Sequence, residues 1–490
     1  MISAHTTDDQ VAAFFEAAHT AYRCAEQSAS DVSLYDYVIA GFHVRLRFAG
    51  AGLPPQLSPA LAHLAVAPSA SPDLTVCLWD TCSTGVSMPR PPWPEEDYLA
   101  RGEIRGYNTE RFRTVYDVWG GAFRMLDQER NLALFWTQDA RQLPTYDRGA
   151  PLRMILHWWM RCRGLLFVHA GAVGTEKGGI LLAGKSGSGK STTATACLLA
   201  GLRYAGDDYC LISTKLAPRV YSLYNSVKLD PAILREKMPD LATWISNPAE
   251  LDREKALIFL HQPYPAWMAK TFPIRALLLP TTTGREETVL IRASAAASLQ
   301  ALAPSTLMQM PGADGRELQA LAKFVKQVPG YHLQLGTKLA EIPRMLEQLE
   351  RQLPMTSLPN LISVIIPVYN GAAFLADAFE TVLRQACAPL EIIVVDDGST
   401  DETASILRGY GDRLTSVYQS NQGPPAARNH GLALAQGEFI AFLDADDLWH
   451  EDKLAVQLER LMADGALQVV LGHTVCAASE SPDPRGDLHR

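Results

Sequence analysis

The sequence predicts an α/β multidomain protein, and three observations lead to that expectation. The chain has 490 residues, whereas one domain usually holds roughly 100 to 200. Apolar residues make up 47% and charged residues 20%, which is ordinary globular usage. Short apolar segments alternate with helix-compatible segments over much of the chain. We therefore expect an α+β N-terminal region followed by two α/β domains.

The N-terminal region, residues 1–150, contains short alternating segments such as 44–48 and 74–79. Alternation of apolar and polar residues with a period of two is typical of strands, and Pro-rich stretches between them indicate loops. This region is predicted to be β-rich, and we assign it no chemistry. Large aromatic side chains dominate packing, so the tryptophans of this region and just after it are interpreted as core residues. They are Trp93, Trp119, Trp136, Trp158 and Trp159.

The second domain is predicted over residues 151–353. Phe167–Val168 and residues 180–183 are apolar and short, which favours buried parallel strands. Residues 354–360 have the composition of a linker. Residues 361–490 then alternate four strands with helices, the pattern of a doubly wound parallel sheet.

Composition also excludes several classes of protein. No apolar run approaches the 18 residues that a membrane span needs, and the first nine residues lack the features of a signal peptide. The eight cysteines contain no C-x-x-C pair, so neither a zinc cluster nor a disulfide framework is predicted. We expect a cytoplasmic protein without a membrane span.

Charge is distributed unevenly along the chain. The net charge is −9, and residues 361–490 carry 19 acidic against 8 basic residues. Such a surface repels nucleic acid but accepts a divalent metal that carries a nucleotide. An ordinary solvated acidic surface explains most of the same charge. No nucleic-acid partner is expected.

Residues 184–191 match the phosphate-loop pattern G-x-x-x-x-G-K-[ST]. An apolar strand precedes them and a helix-compatible run follows, as the pattern requires. Backbone N–H groups of such a loop bind phosphate oxygens, its lysine neutralises β/γ charge, and its serine reaches Mg²⁺. The sequence thus predicts a site for ATP with Mg²⁺. Its predicted phosphate-binding residues are Gly184, Gly187, Ser188, Gly189, Lys190, Ser191 and Thr192, of which Ser191 also holds the metal.

Two further segments flank this loop. His169 lies in Phe167-Val168-His169-Ala170-Gly171 upstream, and Asp207-Asp208 follows Tyr204-Ala205-Gly206 downstream. With the loop, these segments resemble the HPr kinase family, which is related in fold to ATP-dependent phosphoenolpyruvate carboxykinase. The resemblance implies that His169, Asp207 and Asp208 are catalytic, with either aspartate as acceptor base or metal partner. Taken alone, the aspartates could form a solvated turn and His169 could be an ordinary strand histidine.

The family's Gly-containing signature after the aspartate pair has no counterpart here, and residues 225–230 stand where it would be sought. The resemblance therefore leaves the phosphoryl acceptor open. We expect a serine- or hydroxyl-bearing peptide, protein or small molecule.

Four motifs follow one another in the last domain, each near the end of a predicted strand or the start of a helix. They are Ser363-Val364-Ile365-Ile366-Pro367-Val368-Tyr369-Asn370, Val395-Asp396-Asp397-Gly398-Ser399, Ala427-Arg428-Asn429 and Leu443-Asp444-Ala445-Asp446-Asp447. In this order they resemble a family 2 glycosyltransferase of GT-A fold. In an open α/β sheet, ligands bind beyond the carboxyl ends of the strands, where these motifs lie.

The resemblance implies a nucleotide-sugar donor, specifically a UDP-sugar, bound with Mg²⁺ or Mn²⁺. Paired carboxylates suit this chemistry because they hold a cation against the departing diphosphate. Asp446 is the implied metal ligand, and Arg428 is expected near the diphosphate. The implied nucleotide-sugar-binding residues are Pro367, Tyr369, Asp396, Asp397, Arg428 and Asp444.

Only about 44 residues follow Asp446. In the family, the catalytic base and the acceptor-binding residues lie further along than this. We therefore expect a donor-binding half of a glycosyltransferase, truncated at its C-terminus.

The predicted function is an ATP-dependent serine or hydroxyl kinase fused to that donor-binding half, in a pathway that modifies a glycan or a peptide. One alternative is a glycosyltransferase with a regulatory kinase-like domain. Another is a non-catalytic scaffold that binds both nucleotides. Turnover separates these hypotheses.

Overall fold

The computed structural model describes residues 7–99, 101–175, 178–214, 218–308, 312, 315–353, 358–385, 390–463 and 469–472. The chain forms two compact units, Met1–Leu353 and Pro354–Arg490. The mixed α/β, multidomain character predicted from the sequence is confirmed. Residues 354–357 of the predicted linker lie outside the described residues, and residues 358–360 already belong to a strand of the second unit.

The first part of unit 1 is a mixed sheet with one long helix against it. Thr7 caps this helix through a capping box, and its buried face includes Val11, Phe14 and Phe15. The sheet order is β3-β1-β2-β4-β7-β6-β5, with parallel pairing of β2, β4 and β7. The elements are α1 (Asp8–Ser28), β1 (Val32–Ile39), β2 (Phe42–Ala49), α2 (Pro54–Leu57), β3 (Ala65–Val66), β4 (Leu74–Asp80), α3 (Thr81–Thr84), β5 (Phe112–Asp117), β6 (Ala122–Asp127) and β7 (Leu132–Thr137).

The second part of unit 1 contains the phosphate-loop segment. Its main sheet has the order β11-β9-β10-β16-β13-β12-β8, and β18 joins β16 and β17. The elements are α4 (Thr145–Gly149), α5 (Arg153–Arg161), β8 (Leu165–Val168), β9 (Ala170–Thr175), β10 (Gly178–Ala183), α6 (Lys190–Leu199), β11 (Arg203–Gly206), β12 (Cys210–Ser213), β13 (Arg219–Ser222), β14 (Ser226–Leu229), α7 (Pro231–Lys237), β15 (Ala256–Phe259), β16 (Thr271–Thr282), β17 (Val289–Ala293), α8 (Ala295–Leu307), α9 (Gly315–Gln327), β18 (Gly330–Leu335) and α10 (Glu341–Gln352).

The two parts of unit 1 share a hydrophobic core. One buried cluster runs from Tyr37 in β1 through Trp158 and Trp159 in α5 to Leu211 in β12. Trp158 and Trp159 are core residues, as predicted, and so are Trp93 and Trp136. The prediction is wrong for Trp119, which lies in the turn between β5 and β6 and is 96% exposed. Residues on both sides of the predicted boundary at 150 therefore pack into one body.

The predicted strand directions are only half correct. β10, which contains residues 180–183, does run parallel to β16. β8, which contains Phe167–Val168, pairs antiparallel with β12, so the parallel prediction is wrong there. An apolar run indicates burial on both faces of a strand, but it carries no information about the direction of the neighbouring strand.

Unit 2 is built on a parallel sheet of order β21-β20-β19-β22. Even-numbered residues of β19, such as Val364 and Ile366, pack towards α11, whereas Ile393 and Val395 of β20 face Ala427 of α13 on the other side. Helices thus cover both faces, as the doubly wound pattern predicts. The elements are β19 (Leu358–Val368), α11 (Leu375–Leu383), β20 (Leu390–Asp396), α12 (Thr403–Tyr410), β21 (Thr415–Tyr418), α13 (Pro424–Leu434), β22 (Gly437–Phe442) and α14 (Lys453–Ala463).

None of the helices in the described ranges is both long enough and apolar enough to cross a membrane.

Candidate functional site

The phosphate loop joins β10 to α6, so the strand before it and the helix after it are both present. Gly187 and Gly189 have φ of 79° and 101°, a region that glycine enters without strain. A Cβ on Gly189 would also lie 2.4 Å from Leu335 Cδ1. Glycine is therefore required at position 189 for conformation and for space.

Lys190 begins α6 and folds back over the loop. Its Nζ donates to the carbonyl oxygens of Gly184 and Lys185, at 2.7 and 3.2 Å. Burial lowers the pKa of Lys190, while Asp207 and Asp208 act in the opposite direction. The ammonium group thus sits inside the loop, where a phosphate oxygen can replace a carbonyl as its acceptor.

Some of the buried polar atoms without a hydrogen-bond partner belong to this loop and to the two flanking segments singled out in the sequence. Within the described residues they include Ser188 Oγ, His169 Nδ1 and both carboxylate oxygens of Asp207. Leaving such a group unsatisfied costs about 1–3 kcal/mol, so native structures rarely do so without a reason. A bound phosphate and cation would supply partners for these atoms.

Asp207 and Asp208 lie just after β11 and have opposite environments. Burial, and then the charge of Asp208, raises the pKa of Asp207, which is 1% exposed. Burial acts the same way on Asp208, but Lys228 and His169 hold the pKa of Asp208 well below its usual range. Lys228 Nζ lies 2.5 Å from Asp208 Oδ2, and His169 Nε2 lies 3.7 Å from Asp208 Oδ1.

Sequence reasoning missed Lys228. It lies in β14, between buried Val227 and Leu229, and it belongs to no motif. The one available signal was a lysine inside an otherwise apolar strand, within the segment 225–230 that follows the aspartate pair.

The candidate site of unit 2 is a cavity of about 400 Å³ beyond the carboxyl ends of β19 and β20. It lies where ligands bind in open α/β sheets. The polar and aromatic residues that line it are Tyr369, Asn370, Phe374, Asp397, Arg428, Asp444 and Asp446, and Pro367 is among the other lining residues. The structure therefore brings together the predicted donor-site residues other than Asp396.

Asp396 and Asp397 point to different places. Asp396 is buried and accepts a hydrogen bond from a backbone N–H of its own turn, at 2.8 Å. Asp397 lines the cavity and accepts from the Gln419 side chain and from the backbone N–H groups of Gln422 and Gly423, at 2.8 to 2.9 Å. Burial acts to raise the pKa of Asp397, but these three donors hold it below its usual range.

Arg428 and the two aspartates of the D-x-D segment form the charged wall of the cavity. Arg428 Nη2 donates to Asp444 Oδ1 at 2.5 Å. Asp446 is exposed. The cavity wall thus offers the Arg428 guanidinium to anionic oxygens of a ligand and the exposed Asp446 carboxylate to a metal ion.

Comparison with known proteins addresses the second unit. The family model described as Glycosyl transferase family 2 matches residues 363–489. TuaG of Bacillus subtilis strain 168, named as a teichuronic acid biosynthesis glycosyltransferase, is 41% identical over 132 residues, or 26% of this chain and 52% of TuaG. An uncharacterized glycosyltransferase of Haemophilus influenzae is 39% identical over 120 residues, or 24% of this chain and 48% of that protein.

The chain spans about half the length of these two relatives, and less of others. The crystal structure of S. aureus TarS 1–349 in complex with UDP is 31% identical, with a TM-score of 0.20, over 21% of this chain and 32% of that one. A mannosyltransferase from Pyrobaculum calidifontis in complex with GDP-Man and Mn²⁺ is 34% identical, again with a TM-score of 0.20, over 20% and 32%. A likeness at that TM-score supports no conclusion about the fold.

Proposed function

With a family 2 glycosyltransferase domain over residues 363–489 as the premise, we propose that the protein binds a nucleotide-sugar in unit 2 and transfers its sugar. The observation that carries the proposal is the cavity beyond β19 and β20, lined by Asp397, Arg428, Asp444 and Asp446. Its volume of about 400 Å³ suits a small-molecule ligand. A GT-A arrangement is part of this proposal.

Each end of the donor meets suitable chemistry in this cavity. Tyr369 is 54% exposed beside Pro367, so its ring offers a face on which a nucleobase can stack. Asp397 is held by three donors and presents its remaining acceptor capacity to base or ribose N–H and O–H groups. Arg428 lies where its guanidinium can bind diphosphate oxygens.

The residues present fit a divalent cation. Asp446 is an exposed carboxylate in the cavity wall, and Asp444 keeps one oxygen besides the one bonded to Arg428. Carboxylate oxygens are the ligands that Mg²⁺ and Mn²⁺ prefer. When bound with a nucleotide-sugar, such a cation neutralises the charge that develops on the diphosphate. We propose Asp446 as its protein ligand, with UDP-sugar as the donor.

The acceptor is a hydroxyl compound in glycan or peptide modification. TuaG, which is named for teichuronic acid biosynthesis, supports the glycan side of this proposal. The catalytic base that accepts the hydroxyl proton is not among the residues assigned here.

Calorimetry with UDP and with GDP, each with and without Mn²⁺, tests the donor site. We expect UDP to bind only with Mn²⁺ and Asp446→Asn to weaken that binding at least tenfold. Glu451→Gln, an exposed acidic residue outside the cavity, is the matched control and is expected to bind normally. Metal-independent binding, or equal binding by Asp446→Asn, would contradict the metal assignment. A sugar-release assay with UDP-sugars tests transfer itself.

The phosphate loop supports a second candidate function, ATP-dependent phosphorylation of a hydroxyl group. The observation in its favour is the set of unpartnered buried atoms around the loop, Ser188 Oγ, His169 Nδ1 and the Asp207 carboxylate. Backbone N–H groups and Lys190 would bind the phosphates, and Ser191 with Asp207 fits Mg²⁺. A regulatory or scaffold role would use the same nucleotide site without turnover.

Titration with ATP and Mg²⁺, followed by a measurement of ADP release, tests this second function. We expect Lys190→Ala to weaken ATP binding by about one to two orders of magnitude, because the β/γ-phosphates lose a charge-assisted partner. Lys237→Ala, an exposed lysine at the end of α7, is the control. ATP binding without ADP release would favour the regulatory or scaffold role. Equal binding by Lys190→Ala would contradict the nucleotide site.

A further inference from the structure

A lysine outside every motif meets the aspartate pair beside the phosphate loop. Lys228 projects from β14, and its Nζ lies 2.5 Å from Asp208 Oδ2. The opposite oxygen of the same carboxylate faces His169 Nε2 at 3.7 Å. Both oxygens of Asp208 therefore have a nitrogen neighbour, and one of these neighbours is the ammonium group of Lys228.

The carboxylate of Asp207 lies in a different environment from that of Asp208. It is 1% exposed, and neither of its carboxylate oxygens has a hydrogen-bond partner among the described residues. Burial, and then the charge of Asp208, raise the pKa of Asp207, while the Ser191 hydroxyl and Lys190 act in the opposite direction. A buried carboxylate without a partner is costly, and a cation between it and the loop would satisfy it.

Solvent exposure also distinguishes Asp207 from Asp208. The Asp208 side chain is 25% exposed, so a hydroxyl compound can approach it. Asp207 is closed to any acceptor of appreciable size. The sequence left open which aspartate is the metal partner, whereas partners and exposure separate them.

We propose that Lys228 is a positioning residue that divides the aspartate pair: it occupies Asp208 and thereby leaves Asp207 as the carboxylate that takes a divalent cation beside Ser191. This inference rests on the second candidate function. The physical reason is competition, because two adjacent carboxylates would otherwise share one cation or bind two. An ammonium at 2.5 Å supplies the charge of that second cation from the chain itself.

Mn²⁺ binding tests these separate roles of Asp207 and Asp208 without turnover. Binding is measured as the loss of the free-ion signal in electron paramagnetic resonance. The full chain is used in an Asp446→Asn background, which silences the proposed site of unit 2. Titrations are run with and without ATP. We expect Asp207→Asn to weaken Mn²⁺ binding at least tenfold and Asp208→Asn to change it by less than threefold.

The decisive variant is Asp207→Asn combined with Lys228→Met. Freed from its lysine, Asp208 is expected to bind Mn²⁺ in place of Asp207 and to recover at least threefold in affinity over Asp207→Asn alone. Asp207→Asn combined with Lys228→Arg keeps a cation on Asp208 and is expected to show no recovery. A purely structural role for Lys228 predicts no such difference between Met and Arg.

Three results would overturn the proposal: equal losses in the two aspartate variants, no recovery with Lys228→Met, or no Mn²⁺ binding in either condition. Circular dichroism shows whether the Lys228→Met variants fold. If they do not, the difference in Mn²⁺ affinity between Asp207→Asn and Asp208→Asn still tests the proposal. The proposed kinase function fails separately. In that case Mn²⁺ binding keeps the Asp207 dependence, but ATP neither binds nor responds to Lys190→Ala.

Discussion

The two candidate sites hold their carboxylates in opposite ways. In unit 1, Asp207 is buried, and Asp208 is partly exposed and forms an ion pair with Lys228. In unit 2, Asp446 is exposed on the wall of an open cavity. Buried charges interact strongly with each other and with folding, whereas exposed charges are screened. Substitutions at the first site should therefore affect chemistry and stability together, and those at the second should affect ligand binding alone.

The largest expected effect concerns the proposed kinase activity of unit 1. Asp208→Asn removes the carboxylate that an acceptor hydroxyl can approach, and general-base catalysis is typically worth about 10² to 10⁴ in rate. We expect the single-turnover rate of phosphoryl transfer from ATP, to water or to a hydroxyl acceptor, to fall by that factor. ADP formation measures this rate. ATP affinity is expected to stay within threefold. Asp252→Asn, at an exposed position, serves as the control, and a normal rate in Asp208→Asn would show that the pair is structural.

The second largest expected effect is a loss of UDP affinity in unit 2. Arg428→Met removes a guanidinium from the cavity wall, where the proposed diphosphate would bind. A hydrogen bond to a charged group contributes about 1.5–3 kcal/mol. We expect UDP affinity in the presence of Mn²⁺ to fall by about 10- to 100-fold in calorimetry. The Arg428–Asp444 pair is partly exposed, at 34% and 48%, so its loss is expected to cost less than about 1 kcal/mol of folding stability. A large loss of folding stability in Arg428→Met, with unchanged UDP affinity, would contradict the expectation that substitutions in unit 2 affect ligand binding alone.

The smallest expected effect is a pH dependence of stability in unit 1. Burial and Asp208 raise the pKa of Asp207 in the folded state, so the folded protein binds a proton there more tightly than the unfolded chain. The stability that Asp207 contributes is present below its unfolded pKa of about 3.9 and declines as pH rises through the folded pKa.

Chemical unfolding in EDTA across pH 4 to 8 measures this effect. The free energy of unfolding of the wild type, relative to Asp207→Asn, is expected to decrease with pH by at most about 1.4 kcal/mol per unit. Asp446→Asn is expected to show no such difference, since Asp446 is exposed. Parallel profiles for wild type and Asp207→Asn would contradict the buried-acid interpretation.

Local patterns predicted much of the fold. The four strands predicted in residues 361–490 are present. β19 and β20 contain runs of buried β-branched residues, which are typical of parallel strands. The residues of β21 and β22 are exposed or half-buried. The phosphate loop likewise lies between a strand and a helix, since its glycines and its lysine are meaningful only in that context. The assignment of its kinase chemistry stays a prediction.

Within the donor site, the sequence could not distinguish Asp396 from Asp397. Asp396 ends β20 and Asp397 is the next residue, and both belong to one motif. Asp396 accepts a hydrogen bond from its own turn, whereas Asp397 lines the cavity. The alternation of strand side chains makes such a division expected, but which residue faces inward depends on the register of the sheet.

Residues that are close along the chain were enough to predict the α/β class, the strand and helix on either side of residues 184–191, the parallel sheet of unit 2 and the order of its motifs. Long-range packing instead sets the antiparallel pairing of β8 with β12, the contact between Lys228 and Asp208, and the lack of a hydrogen-bond partner for Asp207 among the described residues. Lys228 and Asp208 are twenty positions apart and lie on different strands and loops. Contacts of this kind arise from sheet pairing and core packing, which no local pattern encodes.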